Sequence, residues 1–311
     1  MAITRTTLLS GPAAAIFNGH TFWARDGILV TPALELEAVD SDAQGVIDAT
    51  ASLQPVMIKF TPSAPFADLV ILYPWLEGAP GASLFGSEDT PLVLIAANGV
   101  RLTFSAAAIV AMPDLHLTAQ GSVAGTVTFL ALGARSLPIT DANRLVTVDT
   151  ASVPVAPTGT PELTDDFVII WGGAPWMNLR ARDRVHLHFE IKTRPVLSDA
   201  NALLDLTLEQ LNVEVRFTPA TPGGPREADL IAALQLQGAF PGRSLGASGL
   251  TLDIAGENLW VRLPLAQLIG GDLAFDVAHG RIGELTFRAG QAFIGIDETG
   301  SLVSLTEGIP L

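Results

Sequence analysis

Val56-Met57-Ile58-Lys59-Phe60-Thr61-Pro62 and Val213-Glu214-Val215-Arg216-Phe217-Thr218-Pro219 are two versions of one stretch, set 157 residues apart. Each alternates with period two, as a strand with one buried face does, and each closes on Phe-Thr-Pro. The same spacing carries Ala24-Arg25-Asp26 onto Ala181-Arg182-Asp183. A spacing of 158 carries Asp114-Leu115 onto Asp272-Leu273 and Thr128-Phe129 onto Thr286-Phe287. Short matches are cheap singly, but agreement in order and spacing across half a chain predicts a tandem duplication of one β-rich domain. The expected units are residues 1–152, a linker over 153–161 and residues 162–311. Val153-Pro-Val-Ala-Pro-Thr-Gly-Thr-Pro161 holds three prolines and a glycine in nine residues, the composition of a semi-rigid extended spacer.

Around the repeated stretch the pattern is again strand. Thr21-Phe-Trp23 and Ile28-Leu-Val30 flank Asp26-Gly27, a hairpin signal. Leu34–Ala38 alternates, and Val185–Lys192 does so more clearly, with Val185, Leu187, Phe189 and Ile191 on one side. The prolines two residues after Phe60 and Phe217 are expected to end their ladders. One short helix per unit is expected, over Pro65–Trp75 and over Gly224–Leu234. Gly/Pro-rich loops follow, Gly78–Ala82 and Gly238–Gly246. Strands then pair as 91–96 with 100–104 through Asn98-Gly99, and as 250–254 with 259–263. Each unit should finish on a pair, 115–119 with 126–131 and 273–277 with 284–289. The fold class is therefore mainly β: two tandem homologous β-sandwich or partly closed barrel domains, each with one short helix.

Composition narrows function. The 311 residues are 49% hydrophobic and 16% charged, with a mean hydropathy of +0.41, apolar enough to suggest that an assembly interface hides surface. Absence of cysteine removes disulfides, thiol nucleophiles and thiolate metal sites. No run of about 20 apolar residues occurs, so no bilayer-spanning helix is expected. The stretch Met1–Ser10 is too weak for a secretory signal, and assembly in a cytoplasm is expected. Net charge is −15, shared as 13 acids to 6 bases in 1–156 and 19 to 11 in 157–311, so neither half offers a phosphate-neutralising stripe. Acidity maintains solubility, and it would also keep a passing polyanion from adhering.

Chemistry leaves few traces. His186 and His188 share a strand face but lack a third ligand nearby in sequence, and exposed strand histidines are commoner than metal pairs. Acidic stretches at Asp40-Ser-Asp42, Glu88-Asp89 and Asp165-Asp166 lack an ordered ligand ladder. Nucleophile-elbow, phosphate-loop and dinucleotide motifs are missing. Neither a catalytic residue nor a cofactor nor a metal is expected, and the chain is not read as an enzyme. The repeated pairs Arg25, Asp26 and Arg182, Asp183 point to opposite faces if they lie on a strand, which suits separate contacts at a turn or interface. Phe17, Phe22 and Trp23 correspond loosely to Trp171, Trp176 and Met177; such aromatics either anchor a protomer interface or fill a core. The candidate interface is thus Phe17, Trp23, Arg25, Asp26, Trp171, Trp176, Arg182 and Asp183.

The opening Ser10-Gly-Pro-Ala-Ala-Ala-Ile-Phe-Asn-Gly-His-Thr-Phe-Trp-Ala-Arg-Asp-Gly-Ile28, the β-rich unit with one helix and the terminal strand pairs resemble the tail tube proteins of long-tailed bacteriophages. The likeness is to variants whose tube domain is duplicated within one chain. It spans most of the sequence through soft motifs. It implies a structural virion protein: trimers of two-domain chains forming pseudo-hexameric rings that stack into a conduit for DNA ejection. Partners would be other copies, other tail proteins and viral DNA passing without specific binding, with no membrane. The site would be the virion tail, assembled in the bacterial host cytoplasm. On this model 153–161 spans adjacent seats, and Pro65–Gly86 with Pro219–Gly249 supply ring contacts. The polar strand faces line the lumen, with Lys59, Arg216, Glu214 and Glu190 as lumen candidates, and Arg101 and Arg262 as further cations in a negative wall. The copies differ in charge and turns, which allows inequivalent roles. Alternatives are a tail terminator or baseplate ring protein, or a carbohydrate-binding two-domain β protein using Trp23, Trp75, Trp171, Trp176 and Trp260.

Overall fold

The computed structural model describes residues 13–32, 35–41, 45–53, 55–64, 66–76, 78–87, 89–118, 121–132, 145–155, 168–171, 179–198, 202–219, 250–256, 259–275 and 280–296. The first half holds β1 (Ala14–Phe17), β2 (His20–Ala24), β3 (Leu29–Pro32), β4 (Glu35–Ser41), β5 (Gly45–Leu53), β6 (Val56–Phe60) and β7 (Pro62–Ser63). One helical turn, α1 (Phe66–Leu69), runs into a 3₁₀ turn, Val70–Leu72, and stops before Pro74. Then come β8 (Leu92–Ile95), β9 (Val100–Phe104), β10 (Ala106–Ala111), β11 (Leu115–Thr118), β12 (Gly121–Ala124), β13 (Val127–Leu132) and β14 (Val146–Thr150). The second half has fewer, longer strands: β15 (Val168–Trp171), β16 (Leu179–Ser198), β17 (Ala202–Pro219), β18 (Leu250–Ala255), β19 (Leu259–Phe275), β20 (Gly280–Ala289) and β21 (Phe293–Ile296).

These strands form three sheets and a ribbon, so the fold is mainly β. One sheet runs β14-β9-β8-β1-β2-β7, a second β10-β13-β6-β3, and β4 pairs with β5 as a two-stranded ribbon. The third and largest sheet begins with β12-β11-β16 and continues β15-β18-β19-β20-β17, with β21 on β19. Because β16 also pairs with β17, this sheet curls back on itself as a half-barrel. Curling lets one face close over apolar residues while the other stays wet.

Registers repeat between the halves. Leu29 faces Lys59 on β6, and His186 faces Arg216 on β17, a shift of 157 on both strands (29 to 186, 59 to 216). Ladder irregularities in the β4–β5 ribbon, at Glu35/Leu36 and Val39/Asp40, recur after that same shift at Lys192/Thr193 and Val196/Leu197. Phe129 faces Ile58, and Phe287 faces Val215. The β11–β12 pair Leu115–Ala124 returns as Leu273–Ile282 after a shift of 158. Bulges are positional devices rather than accidents, so coincidence at two of them is informative.

One apolar cluster runs through both halves, from Phe22, Phe60 and Phe129 to Trp171, Phe217 and Phe287. Phe60 and Phe129 stack at 5.9 Å, as do Phe217 and Phe287. Phe17 meets Phe129 edge-on at 4.9 Å, and Trp171 meets Phe287 edge-on at 5.2 Å. The Phe17–Trp171 correspondence thus holds in space, and Trp171 sits in this core at 4% exposure.

Three sequence expectations need correction. Asp26-Gly27 does not close a hairpin: β2 belongs to the six-stranded sheet and β3 to the four-stranded one, so the chain turns a corner there with Gly27 at φ 88°. The tight hairpin is β1–β2, through Asn18 (φ 48°) and Gly19 (φ 81°), a left-handed pair suited to the twist of the flanking strands. Pro62 and Pro219 end one ladder each but not all pairing: β6 leaves β13 at Phe60 and β17 leaves β20 at Phe217, whereas Pro219 still lies opposite Ala181 on β16 and Pro62 lies opposite Ala24, where the chain crosses to the six-stranded sheet. A residue without an N–H is tolerated at such a crossing. Finally, 115–119 does not pair with 126–131. β11 turns back on β12, and β13 lies between β10 and β6. In the second half, likewise, Leu273–Phe275 pairs with Gly280–Ile282, and Leu285–Arg288 pairs with Gln267–Gly271. The expected helix over 224–234 lies outside the described residues.

Candidate functional site

β11, from the first half, lies antiparallel beside β16 of the second: Leu115 faces Leu187, His116 faces His186 and Leu117 faces Val185. Alternation decides the two faces of this seam. Leu115, Leu117, Val185 and Leu187 are fully buried beneath it, and the histidines ride above. His116 and His186 rings stack at 4.4 Å. Asp114, one step before β11, takes His188 Nδ1 at 2.7 Å and His186 Nε2 at 3.3 Å. The third polar group sought near His186 and His188 was therefore distant in sequence, and it satisfies the imidazoles by hydrogen bonds. Among the described residues no group of three or more acidic or histidine side chains is arranged to hold a metal ion.

Burial pushes the His116 imidazole below its usual range, with His186 and Arg184 adding to the effect and Asp114 opposing it. The folded chain thus favours neutral His116. It binds fewer protons there than the unfolded chain, so this stability is full above the ordinary imidazole value and is lost as pH falls from about 6.5 through the lower folded value. Urea midpoints measured from pH 7.5 down to 5 should fall less steeply for His116→Leu than for the parent chain. Parallel slopes would contradict this role.

A strap makes a second contact between the halves. Gly81 N–H donates to Leu208 O at 2.7 Å, Leu208 N–H to Ala82 O at 2.8 Å and Leu84 N–H to Leu206 O at 2.7 Å, so residues 81–84 add to the edge of β17. Leu84, Phe85, Ala106, Ala108, Leu132, Leu206 and Leu208 close an apolar cluster beneath. Gly78 permits the approach, since a Cβ there would stand 2.8 Å from Leu208 Cδ2. The expected contact segment 65–86 thus lies partly on the second half; 220–249 is outside the described residues.

Above the curled sheet runs a polar face. Glu214 accepts from Arg216 Nε at 2.5 Å and from Arg288 Nη2 at 3.4 Å, while Asn212 donates to Glu190 Oε2 at 3.0 Å. Burial pushes the Glu214 carboxyl up, but hydrogen bonding and charge from Arg216 and Arg288 outweigh it, and the net shift is downward. The Asn212 hydrogen bond holds Glu190 low. Arg216, Glu214 and Glu190 therefore share one face of the half-barrel, and exposed Lys59 occupies on β6 the position of Arg216 on β17. Arg101 is bound by Asp149 on β14, and Arg262 by Asp253 on β18.

The other predicted residues scatter. Arg25 and Asp26 are exposed at the corner before β3, and Trp23 is half-buried on β2. Arg182 and Asp183 lie within β16, and Trp176 is outside the described residues.

Several strands have a single partner among the described residues, and two such edges are the counterparts of the β11–β16 seam. Among the described residues β3 pairs only with β6, and Leu273–Phe275 pairs only with β20. Leu29 on β3 is 61% exposed, Leu265 62% and Ile269 41%. Ala108 faces Leu130, and Gln267 faces Arg288; continued along the strands, this places Leu265 where Ala106 stands and Ile269 where Val110 stands. Ala106 is fully buried because the strap and β17 cover it. No protein-family model and no curated protein matches the chain.

Proposed function

We propose that this chain is a structural subunit of a phage tail tube, with three copies closing a pseudo-hexameric ring and rings stacking into a conduit for DNA. The halves are inferred to be duplicated tube domains, 1–152 and 162–311 joined by 153–161. One observation carries the reading: the first half lends a hairpin to the sheet of the second, while among the described residues the matching hairpin and the matching edge have no such partner. A contact that joins unlike patches generates a ring or a filament when repeated. Edges consumed in this way are no longer an aggregation hazard, which accounts for the apolar composition. Repeated registers, bulges and stacked phenylalanines support the duplication.

The polar face suits a conduit. Arg216 and Arg288 are engaged by Glu214, so a phosphate would have to displace an intramolecular partner, and a polyanion slides rather than adheres. The carbohydrate reading is weaker, since Trp23, Trp75, Trp171 and Trp260 are buried or half-buried and Trp75 Nε1 donates to Ile109 O at 2.8 Å. A tail terminator or baseplate ring would use the same seam without stacking. Light scattering with negative-stain microscopy tests the reading: a threefold mass and sixfold-looking rings, extending into tubes, are expected. Isolated rings would favour the terminator or baseplate reading, and a monomer at high concentration would overturn both.

A further inference from the structure

We propose that each chain joins the next through a second strand seam of fixed register, chemically unlike the one inside the chain, so that first and second halves must alternate around the ring. The proposal rests on the ring reading and adds which edges meet and why they cannot exchange.

The internal seam is its template. β3 occupies on β6 the place that β16 occupies on β17, so Ile28, Leu29 and Val30 stand for Val185, His186 and Leu187. Leu273–Phe275 occupies on β20 the place that β11 occupies on β12, so Leu273, Ala274 and Phe275 stand for Leu115, His116 and Leu117. Transferring the observed pairing sets Leu273 opposite Val30, Ala274 opposite Leu29 and Phe275 opposite Ile28 in the next chain. The exposure of Leu29 follows, since its cover belongs to another copy.

Leu265 and Ile269 give an independent sign of the same partner. The first-half face corresponding to them is covered by Leu206 and Leu208 of β17. The segment of the first half in register with that part of β17 is β5, in the β4–β5 ribbon. A neighbour's ribbon, carried beside its β3, is the occupant that would close over Leu265 and Ile269.

Alternation follows from the residues that meet. In the internal seam His116 stacks on His186, and Asp114 holds His186 and His188. In the seam between chains these positions carry Ala274, Leu29, Asp272 and Thr31. Pairing β11 with a β3 edge would set His116 against Leu29 and strip Asp114 of both imidazoles. Mismatch therefore leaves polar groups unpaired, which is how like edges exclude each other.

The cysteine-free chain allows a direct test. Leu29→Cys and Ala274→Cys in one chain occupy the counterpart of the stacked His116–His186 pair, within reach of a disulfide. Oxidation should give covalent species that stop at three chains, while either single variant, and Leu29→Cys with Asp272→Cys, stays monomeric on a denaturing gel. Rings of the expected mass without this cross-link would overturn the seam and spare the ring reading. A covalent dimer from either single variant would overturn alternation, and a monomer by light scattering would overturn seam and ring reading together. Leu29→Arg serves if the double variant misfolds: it should keep the parent circular dichroism spectrum and lose rings, and rings that persist with it would overturn the seam.

Discussion

Phe129→Ala should destabilise the chain by about 3–5 kcal/mol, and Phe287→Ala by a similar amount. Phe129 is fully buried, with Phe60 stacked on one side, Phe17 edge-on at another and Ile58 opposite on β6. Phe287 has the same surroundings from different residues: Phe217 stacked, Trp171 edge-on and Val215 opposite. Sheets held by continuous ladders cannot collapse far enough to fill the hole, so lost transfer energy and a residual cavity both count. Since one cluster spans the two halves, each loss should shift a single unfolding transition. Urea denaturation of both variants is the check. A cost below about 1 kcal/mol for either would contradict its central position.

Leu208→Asp should cost at least about 3 kcal/mol at neutral pH, because it buries a carboxylate without a partner. Leu208 is 1% exposed and lies among Leu84, Phe85, Ala106 and Ala108, with the strap hydrogen-bonded along its backbone. Burial would raise the new carboxyl above its unfolded value, so the folded chain would bind more protons. The deficit should therefore shrink as pH falls toward about 4 and be smallest below it. Denaturant midpoints at pH 7 and pH 4 measure the difference, and limited proteolysis between residues 79 and 87 reports release of the strap. An unchanged cleavage rate would show that the strap does not depend on this cluster.

Much of this architecture was legible where a residue's environment depends on its immediate neighbours. Val185, Leu187 and Phe189 are buried as their alternation requires, and Asn98-Gly99 joins β8 to β9. Pro74 ends the helical segment as expected. Asn18-Gly19 carried the same kind of signal as Asp26-Gly27, and only the first closes a hairpin. Local turn chemistry permits a reversal but cannot say whether the next strand returns to its own sheet or crosses to another. The candidate site divided in the same way. Arg216, Glu214 and Glu190 were placed together by period-two alternation, since two of them lie on one strand and the third on its neighbour. Asp114 and His116 were missed because nothing in their own surroundings points to His186 and His188, some seventy residues away.

By itself the sequence determined the strand periodicity, the corners where prolines and glycines interrupt it and the spacing that repeats between the halves. Those are properties of a chain and its near neighbours, set by backbone sterics and by the side on which each residue falls. Tertiary structure alone decided that β11 leaves its own half to lie beside β16 and that 81–84 adds to β17. It thereby left β3 and 273–275, the counterparts of that seam, with one partner each among the described residues. A strand's hydrogen-bonding groups accept any partner of suitable register, so the choice among edges is made only when whole sheets meet and bury their apolar faces together.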